Sequence, residues 1–549
     1  MALSWSSCGT GFDCATLSVP LEYANPNSGP QASIALIRYN ATAQPDQRLG
    51  SLLVNPGGPG ASGVDFVAYG AGPAVSTISG GLYDIIGWDP RGIGESSPLI
   101  ECFANAGDEY TFSSQLPGGP NLWLGEFSNS SYDAQVSDKI SAFDAAVANL
   151  SQACVAQNSS ALYTSSSAYV ARDMAAIVDA VDGADAKLNY WGFSYGTLLL
   201  SEFIQAFPER VGRVVADGVV NPQAVAETAA GQLPIDQFSE RAALDDLIAF
   251  CEAAGATQCP LSVAPPGVTG SLSTRIDNLF ADLFINPIQA SGLSISLDIF
   301  NPFLVSFLRV PATWATVANT IKGLEVRNAT AFLSLLSEVS AQPPTNTTAP
   351  GVGTENTYPL SCIDNAPSSD ITLAQIVELT KNISITENTP TFSADLSSVC
   401  FCRNFPDTRP LLANAGVSLM AKADSILSAA KKTILIVNSE HDPTTPLISA
   451  KVLRSLLPNS SKLAIRGGPG HTTISLASLS MAQTISDYFV CGTLPRDLAY
   501  NKVDEEVFPD APITSIATPP VFNGSSYTAS QQSLLNATYD IGLAFLALA

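Results

Sequence analysis

The segment YWGFSYGTLLLSEF, residues 190–203, sets one serine between two glycines where an apolar run changes period. Before Ser194, LNYWG reads as a strand. After it, TLLLSEFIQAF has the length and spacing of a helix. A serine on so sharp a strand-to-helix turn has an unfavourable backbone, and side chains at 192 and 196 would collide with strand and helix. Glycines there have a physical reason. The amide of Tyr195, at the helix start, would face a developing oxyanion with the helix dipole behind it. A G-x-S-x-G alone also fits a plain turn serine, so the rest of the chain must decide.

The same β-then-α rhythm runs through the first 220 residues or so. ASIALIRY, SLLVNPGG, YDIIGWD, KLNYWGF and RVVADGVV read as strands, with helical stretches such as SAYVARDMAAIVDAV between them. This predicts an α/β fold, a mostly parallel sheet with helices on both faces. From Asn221 to Ala430 the pattern turns mainly helical, as in FSERAALDDLIAFCEAAG, broken by the loop QPPTNTTAPGVGTENT. LDIFNPFLVSFLRVPATWATVANTI reads as buried helix. Strands return in KKTILIVNSEHDPTTP and SKLAIRGGPGHTT, and the closing run DIGLAFLALA is expected to pack as a helix. The expected division is 1–221 and 431–495 for the two parts of the α/β core, 222–430 for a helical cap, and 496–549 for a C-terminal tail. There is no internal repeat.

A serine hydroxyl needs a base, and the chain holds only two histidines, His441 and His471. Asp442 follows the strand ILIVNSE, and His471 follows LAIRGGPG, with room for one helix and one strand between them. Serine, acid and base then stand at three strand ends in sequence order: Ser194 as nucleophile, Asp442 as orienting acid, His471 as base. Using His441 instead would set base and acid side by side and leave His471 without a role. The second oxyanion donor is sought in LLVNPGGPGASG, where Pro59 has no amide hydrogen. Gly58 is favoured, with Gly57 next. Asp89 and Arg91 in WDPRGIGES are expected to brace the surrounding loops. No metal or other cofactor is expected, because Cys400-x-Cys402 lacks a matching pair and reads as disulfide chemistry.

Bulk composition narrows the partners. A net charge of −24 argues against nucleic acid and anionic membrane surfaces. No apolar stretch reaches the roughly 20 residues that span a bilayer. Ten cysteines, with the close pairs Cys8/Cys14 and Cys251/Cys259, accompany ten N-x-S/T sites, at Asn40, Asn129, Asn149, Asn158, Asn328, Asn346, Asn382, Asn459, Asn523 and Asn536. Together they favour an exported, disulfide-bonded glycoprotein. MALSWSSCGT is not a signal segment, so export implies that one has been removed.

NPGGPGASG, GWDPRGIGES, GFSYGT, FPERVGRVVADGVVNP, DPTTP and GGPGHTT occur in this order, with CATLSVPLEY and DYFVCGTLP towards the ends. In combination they resemble the tripeptidyl and prolyl aminopeptidase-like branch of the α/β-hydrolases, secreted serine exopeptidases. The resemblance runs from Cys8 to about Pro495 and is loose between Asn221 and Ala430. It implies an α/β-hydrolase fold with a cap over Ser194, Asp442 and His471, and release of short peptides or amino acids from free N-termini. It also implies acidic cap residues that hold the substrate amine. Glu240, Asp245, Asp246 and Glu252 are the candidates, and the sequence does not select among them. His441 departs from the pattern and is expected to be peripheral. An esterase, lactonase or thioesterase using the same residues is the alternative. A binding protein on a dead hydrolase scaffold is the remote one.

Overall fold

The computed structural model describes residues 3–26, 29–116, 130–157, 159–225, 229–339, 357–365, 368–387, 393–406, 417–508 and 527–548. Twelve strands are found among them: β1 Ser6–Gly9, β2 Phe12–Pro20, β3 Gln31–Tyr39, β4 Ser51–Asn55, β5 Asp84–Trp88, β6 Leu188–Phe193, β7 Val211–Asp217, β8 Ile288–Ala290, β9 Leu293–Ile295, β10 Ile434–His441, β11 Ser461–Pro469 and β12 Ala499–Asn501. Ten form one sheet in the order β1-β2-β3-β5-β4-β6-β7-β10-β11-β12, while β8 and β9 make a separate hairpin. From β5 through β12 every pairing is parallel, and β1, β2 and β3 join antiparallel. This is the mostly parallel α/β sheet that the recurring β and α patterns predict, and it agrees with the fold the motif resemblance implies.

The central strands read as continuous apolar runs because both faces of the sheet are covered. On one face Met174, Leu199, Phe203 and Leu427, from the helices Ser167–Val181, Gly196–Ala206 and Val417–Ala429, pack against Leu53, Tyr190 and Ile436. On the other, Phe489 and Ile541, from the helices Leu479–Cys491 and Ala529–Leu546, meet Val54, Trp191 and Val437. The closing apolar run does form a helix, fixed at its start by a Thr528/Gln531 capping box. β1, β2 and β12 had no clear strand signal. They are short or, in β2, half exposed along most of their length.

Between β7 and β10 the chain is mainly helical, with the β8–β9 hairpin as the exception. The helices Ala229–Gln258, Leu272–Ile285, Leu297–Leu308 and Trp314–Glu325 share an apolar core around Leu247, Phe280, Phe300 and Trp314. A second core joins the helix Ser130–Gln157 to Thr357–Asp364, Leu373–Glu387 and Ser393–Arg403 through Phe143, Leu150, Ile376 and Phe401. The loop QPPTNTTAPGVGTEN lies outside the described residues. Disulfides close Cys8–Cys14, Cys102–Cys154, Cys251–Cys259 and Cys362–Cys402. Cys400 is buried and unbonded, its thiol pushed up to about 12 by burial, so only one half of the Cys400-x-Cys402 pair carries a disulfide. Among the described residues, no helix is long and apolar enough to cross a membrane.

Candidate active site

Ser194 stands at the carboxyl end of β6 with φ +53°, in the left-handed region that a serine adopts only under constraint. The constraint is a tight turn. A Cβ on Gly192 would lie 2.4 Å from the Tyr190 ring, and one on Gly196 would lie 2.8 Å from the Asn55 carbonyl. The Ser194 amide donates to the Asp217 carbonyl at 3.0 Å, and Thr197 donates back to the Ser194 carbonyl through its amide and hydroxyl. The helix Gly196–Ala206 starts immediately afterwards, with Tyr195 as its N-cap residue.

Asp442 and His471 meet at the ends of β10 and β11. His471 Nδ1 lies 2.9 Å from Asp442 Oδ1 and 3.1 Å from Oδ2. Asp442 has no exposed surface and accepts further hydrogen bonds from the amides of Thr444, Thr445 and Thr472 and from the Thr445 hydroxyl. Burial alone would raise its carboxyl. The His471 charge and hydrogen bond, with the amides, hold it below its ordinary value instead. With Nδ1 turned to the carboxylate, Nε2 is left to act as base. The His471 amide is itself held by the Arg309 carbonyl of the helical insertion at 2.8 Å, and the Phe545 ring packs against its ring in a T-shaped contact at 5.6 Å. His471 and Ser194 share no direct hydrogen bond. They are joined through Asp217, whose carboxylate takes the Thr473 amide at 2.7 Å while its carbonyl takes Ser194.

The glycine loop after β4 presses on the serine turn. A Cβ on Gly57 would sit 2.5 Å from the Phe193 carbonyl and 2.8 Å from the Tyr195 nitrogen, and its φ is +99°. The Gly57 amide is already given to Asn55 Oδ1 at 3.0 Å. That leaves the Gly58 amide as the loop's next candidate donor. Asp89 braces this loop as expected, accepting from the Ser62 hydroxyl and the amides of Val64 and Glu95. Arg91 pairs with buried Asp173 at 2.6 Å and holds the carbonyls of Pro20, Leu21 and Thr164.

The four candidate carboxylates of the helical insertion occupy different places. Asp246 Oδ2 lies 2.7 Å from Nδ1 of His441, the residue before Asp442. This hydrogen bond is the first cause of a raised His441 pKa. Asp245 instead pairs with Arg241, with more than half of its side chain exposed. Glu252 faces solvent, and Glu240 is buried. His441 thus bonds the cap rather than competing for Asp442.

Sequence reasoning missed another acidic pair. Asp364, at the end of the helix Thr357–Asp364, accepts from the Tyr195 hydroxyl and from the Ser167 amide and hydroxyl. Burial, then the nearby Asp364 charge, pushes Glu202 up to about 7. Glu202 lies seven residues beyond Tyr195, on the same helical face, which the sequence could have suggested. Asp364 lies in the loosely matching insertion and gave no signal.

A serine turn, an acid–histidine pair and a glycine loop at neighbouring strand ends define an α/β serine hydrolase. Residues 50–241 match the family model of the α/β-hydrolase fold, and residues 402–501 match that of TAP-like proteins. The first match contains Ser194, the second Asp442 and His471. Serine protease Hip1 of Mycobacterium tuberculosis is 25% identical over 496 residues, covering 88% of this chain and 86% of that protein. A tripeptidyl aminopeptidase of Streptomyces coelicolor is 32% identical over 227 residues, 40% of this chain and 38% of that one. Carboxylesterase B of M. tuberculosis is 46% identical over 112 residues, 19% of this chain and 21% of that one. The chain belongs to the α/β-hydrolase superfamily, in its TAP-like branch.

Proposed function

We propose that the protein is an exported serine exopeptidase that releases amino acids or short peptides from free N-termini. Ser194 Oγ attacks the scissile carbonyl and passes its proton to His471 Nε2. The tetrahedral oxyanion is held by the amides of Tyr195 and Gly58. Collapse expels the leaving amine, which takes the proton from His471. Water, deprotonated by the same imidazole, then hydrolyses the acyl-enzyme. Asp442 fixes the imidazole and stabilises its charged form without itself taking a proton.

The observation that carries the exopeptidase reading is a carboxylate of the helical insertion, Asp246, held against His441, the residue that precedes Asp442. Such a group favours an ammonium at the substrate terminus. The similarity to a serine protease and a tripeptidyl aminopeptidase points the same way. Export is supported by four disulfides among the described residues and by exposed sequon asparagines at 149, 328, 382, 459 and 536. An esterase reading is favoured by one observation, the short match to carboxylesterase B.

The test is hydrolysis of Ala-Ala-Phe, Ala-Pro and Pro amides with free or acetylated N-termini, beside a simple aryl ester, with Ser194→Ala as control. We expect Ser194→Ala to abolish turnover while the protein stays folded. Acetylation should lower kcat/KM about ten- to a hundredfold, the worth of one hydrogen bond to a charged group. Cleavage of the ester alone, indifferent to acetylation, would sink the peptidase reading and keep the triad.

A further inference from the structure

Asp217 closes β7 and is fully buried, yet it has no part in the chemistry just described. β7 lies between β6, which carries Ser194, and β10, which leads to Asp442. The register sets Asp217 directly beside Phe193 on one side and Val437 on the other. From there it bonds both loops of the site. Its carbonyl accepts the Ser194 amide at 3.0 Å. Its Oδ1 accepts the Thr473 amide at 2.7 Å, and its Oδ2 accepts the Thr473 hydroxyl at 2.6 Å and, more distantly, the Trp191 indole at 3.4 Å.

Thr473 is two residues past His471 and is itself buried. The tripeptide His471-Thr472-Thr473 is therefore gripped by two carboxylates. Asp442 takes the His471 ring and the Thr472 amide, and Asp217 takes both donors of Thr473. A carboxylate in the middle of a ten-stranded sheet is costly to bury, whereas an apolar side chain there would be free of that cost. It would also leave the Thr473 amide and hydroxyl buried without acceptors.

We infer that Asp217 is a positioning residue that fixes the distance between the nucleophile turn and the histidine loop. The inference rests on Ser194 and His471 being nucleophile and base. Asp217 touches neither substrate nor reacting atoms. It acts through the Ser194 backbone and Thr473, so its loss affects the chemical step more than substrate binding. A displacement of about 1 Å between reacting groups can cost on the order of a hundredfold in rate.

The experiment uses the full chain as Asp217→Asn, Thr473→Val, the double variant and Ser194→Ala, with kcat, KM and thermal unfolding measured for each. We expect Asp217→Asn and Thr473→Val each to lower kcat about tenfold or more, with KM held within about twofold and folding retained. In the double variant the losses should not multiply, because both substitutions break one contact. Losses that multiply, or wild-type kcat in Thr473→Val, would overturn the inference. If Asp217→Asn does not fold, Thr473→Val alone decides by the same criteria. Activity surviving in Ser194→Ala would mean instead that the triad assignment itself is wrong, whatever Asp217 does.

Discussion

Gly57 bears on the reaction without holding a proton or a charge. Its missing Cβ lets the loop after β4 lie against the Phe193 carbonyl and the Tyr195 nitrogen, and its φ of +99° excludes most side chains. Gly57→Ala must push that loop off the serine turn and take the Gly58 amide with it. We expect kcat to fall about a hundred- to a thousandfold with a smaller change in KM, read from steady-state kinetics. A kcat near wild type would show that this loop supplies no oxyanion donor. At this scale the candidate site residues were legible because so few alternatives existed. Two histidines and one G-x-S-x-G left little choice, and strand ends ordered the rest. Asp217 was not legible, since its meaning lies in a contact across 256 positions. Nor could Asp246 be picked from its three neighbours, because packing alone decides which face of a cap helix meets the core.

The helix Ala529–Leu546 shows how an element remote in sequence enters the site. Its Phe545 packs against Phe66, Phe193 and the ring of His471. Phe545→Ala should cost about 2–3 kcal/mol, less than a fully buried ring because Phe545 is only partly covered. The same change should lower kcat several-fold, since the imidazole loses one wall. Urea unfolding and kinetics on one preparation test both, and unchanged kcat would make the helix purely structural. The helix itself could be read from its apolar run, but its place beneath the histidine could not. The inner parallel strands were clear because burial on both faces makes them continuously apolar. β1, β2 and β12, at the sheet's margins, lack that mark.

Three buried carboxyls shape the pH response of the whole molecule. Burial is the leading cause in each: Glu202, Asp217 and Glu505 are all pushed up to about 7, from ordinary values near 4. Between those limits the folded chain binds more protons than the unfolded one, so stability falls as pH rises from about 4 to 7 and levels off above. Asp442 has the opposite sign. Its depressed pKa contributes stability that is present above its ordinary value and lost as pH falls below it. The unfolding temperature should therefore peak on the acid side of neutrality. A Tm series from pH 3 to 9 tests this, and Asp217→Asn should flatten the decline towards neutrality. A Tm that climbs steadily to pH 8 would show that these carboxyls are ionised in the native state throughout.

The two margins of the sheet have a consequence for how the protein behaves among its own copies. It ends in β1 and β12, strands of four and three residues, and β1 is stapled to β2 by Cys8–Cys14. Any sheet margin is a template for strand addition by a neighbouring chain, and long flat ones seed aggregation. Here β1 covers only Phe12–Cys14 of β2, and β12 covers only Ala464–Arg466 of β11. Reducing the Cys8–Cys14 bond frees β1 and extends the open margin of β2 back to Phe12, so the staple guards colloidal solubility far from the chemistry.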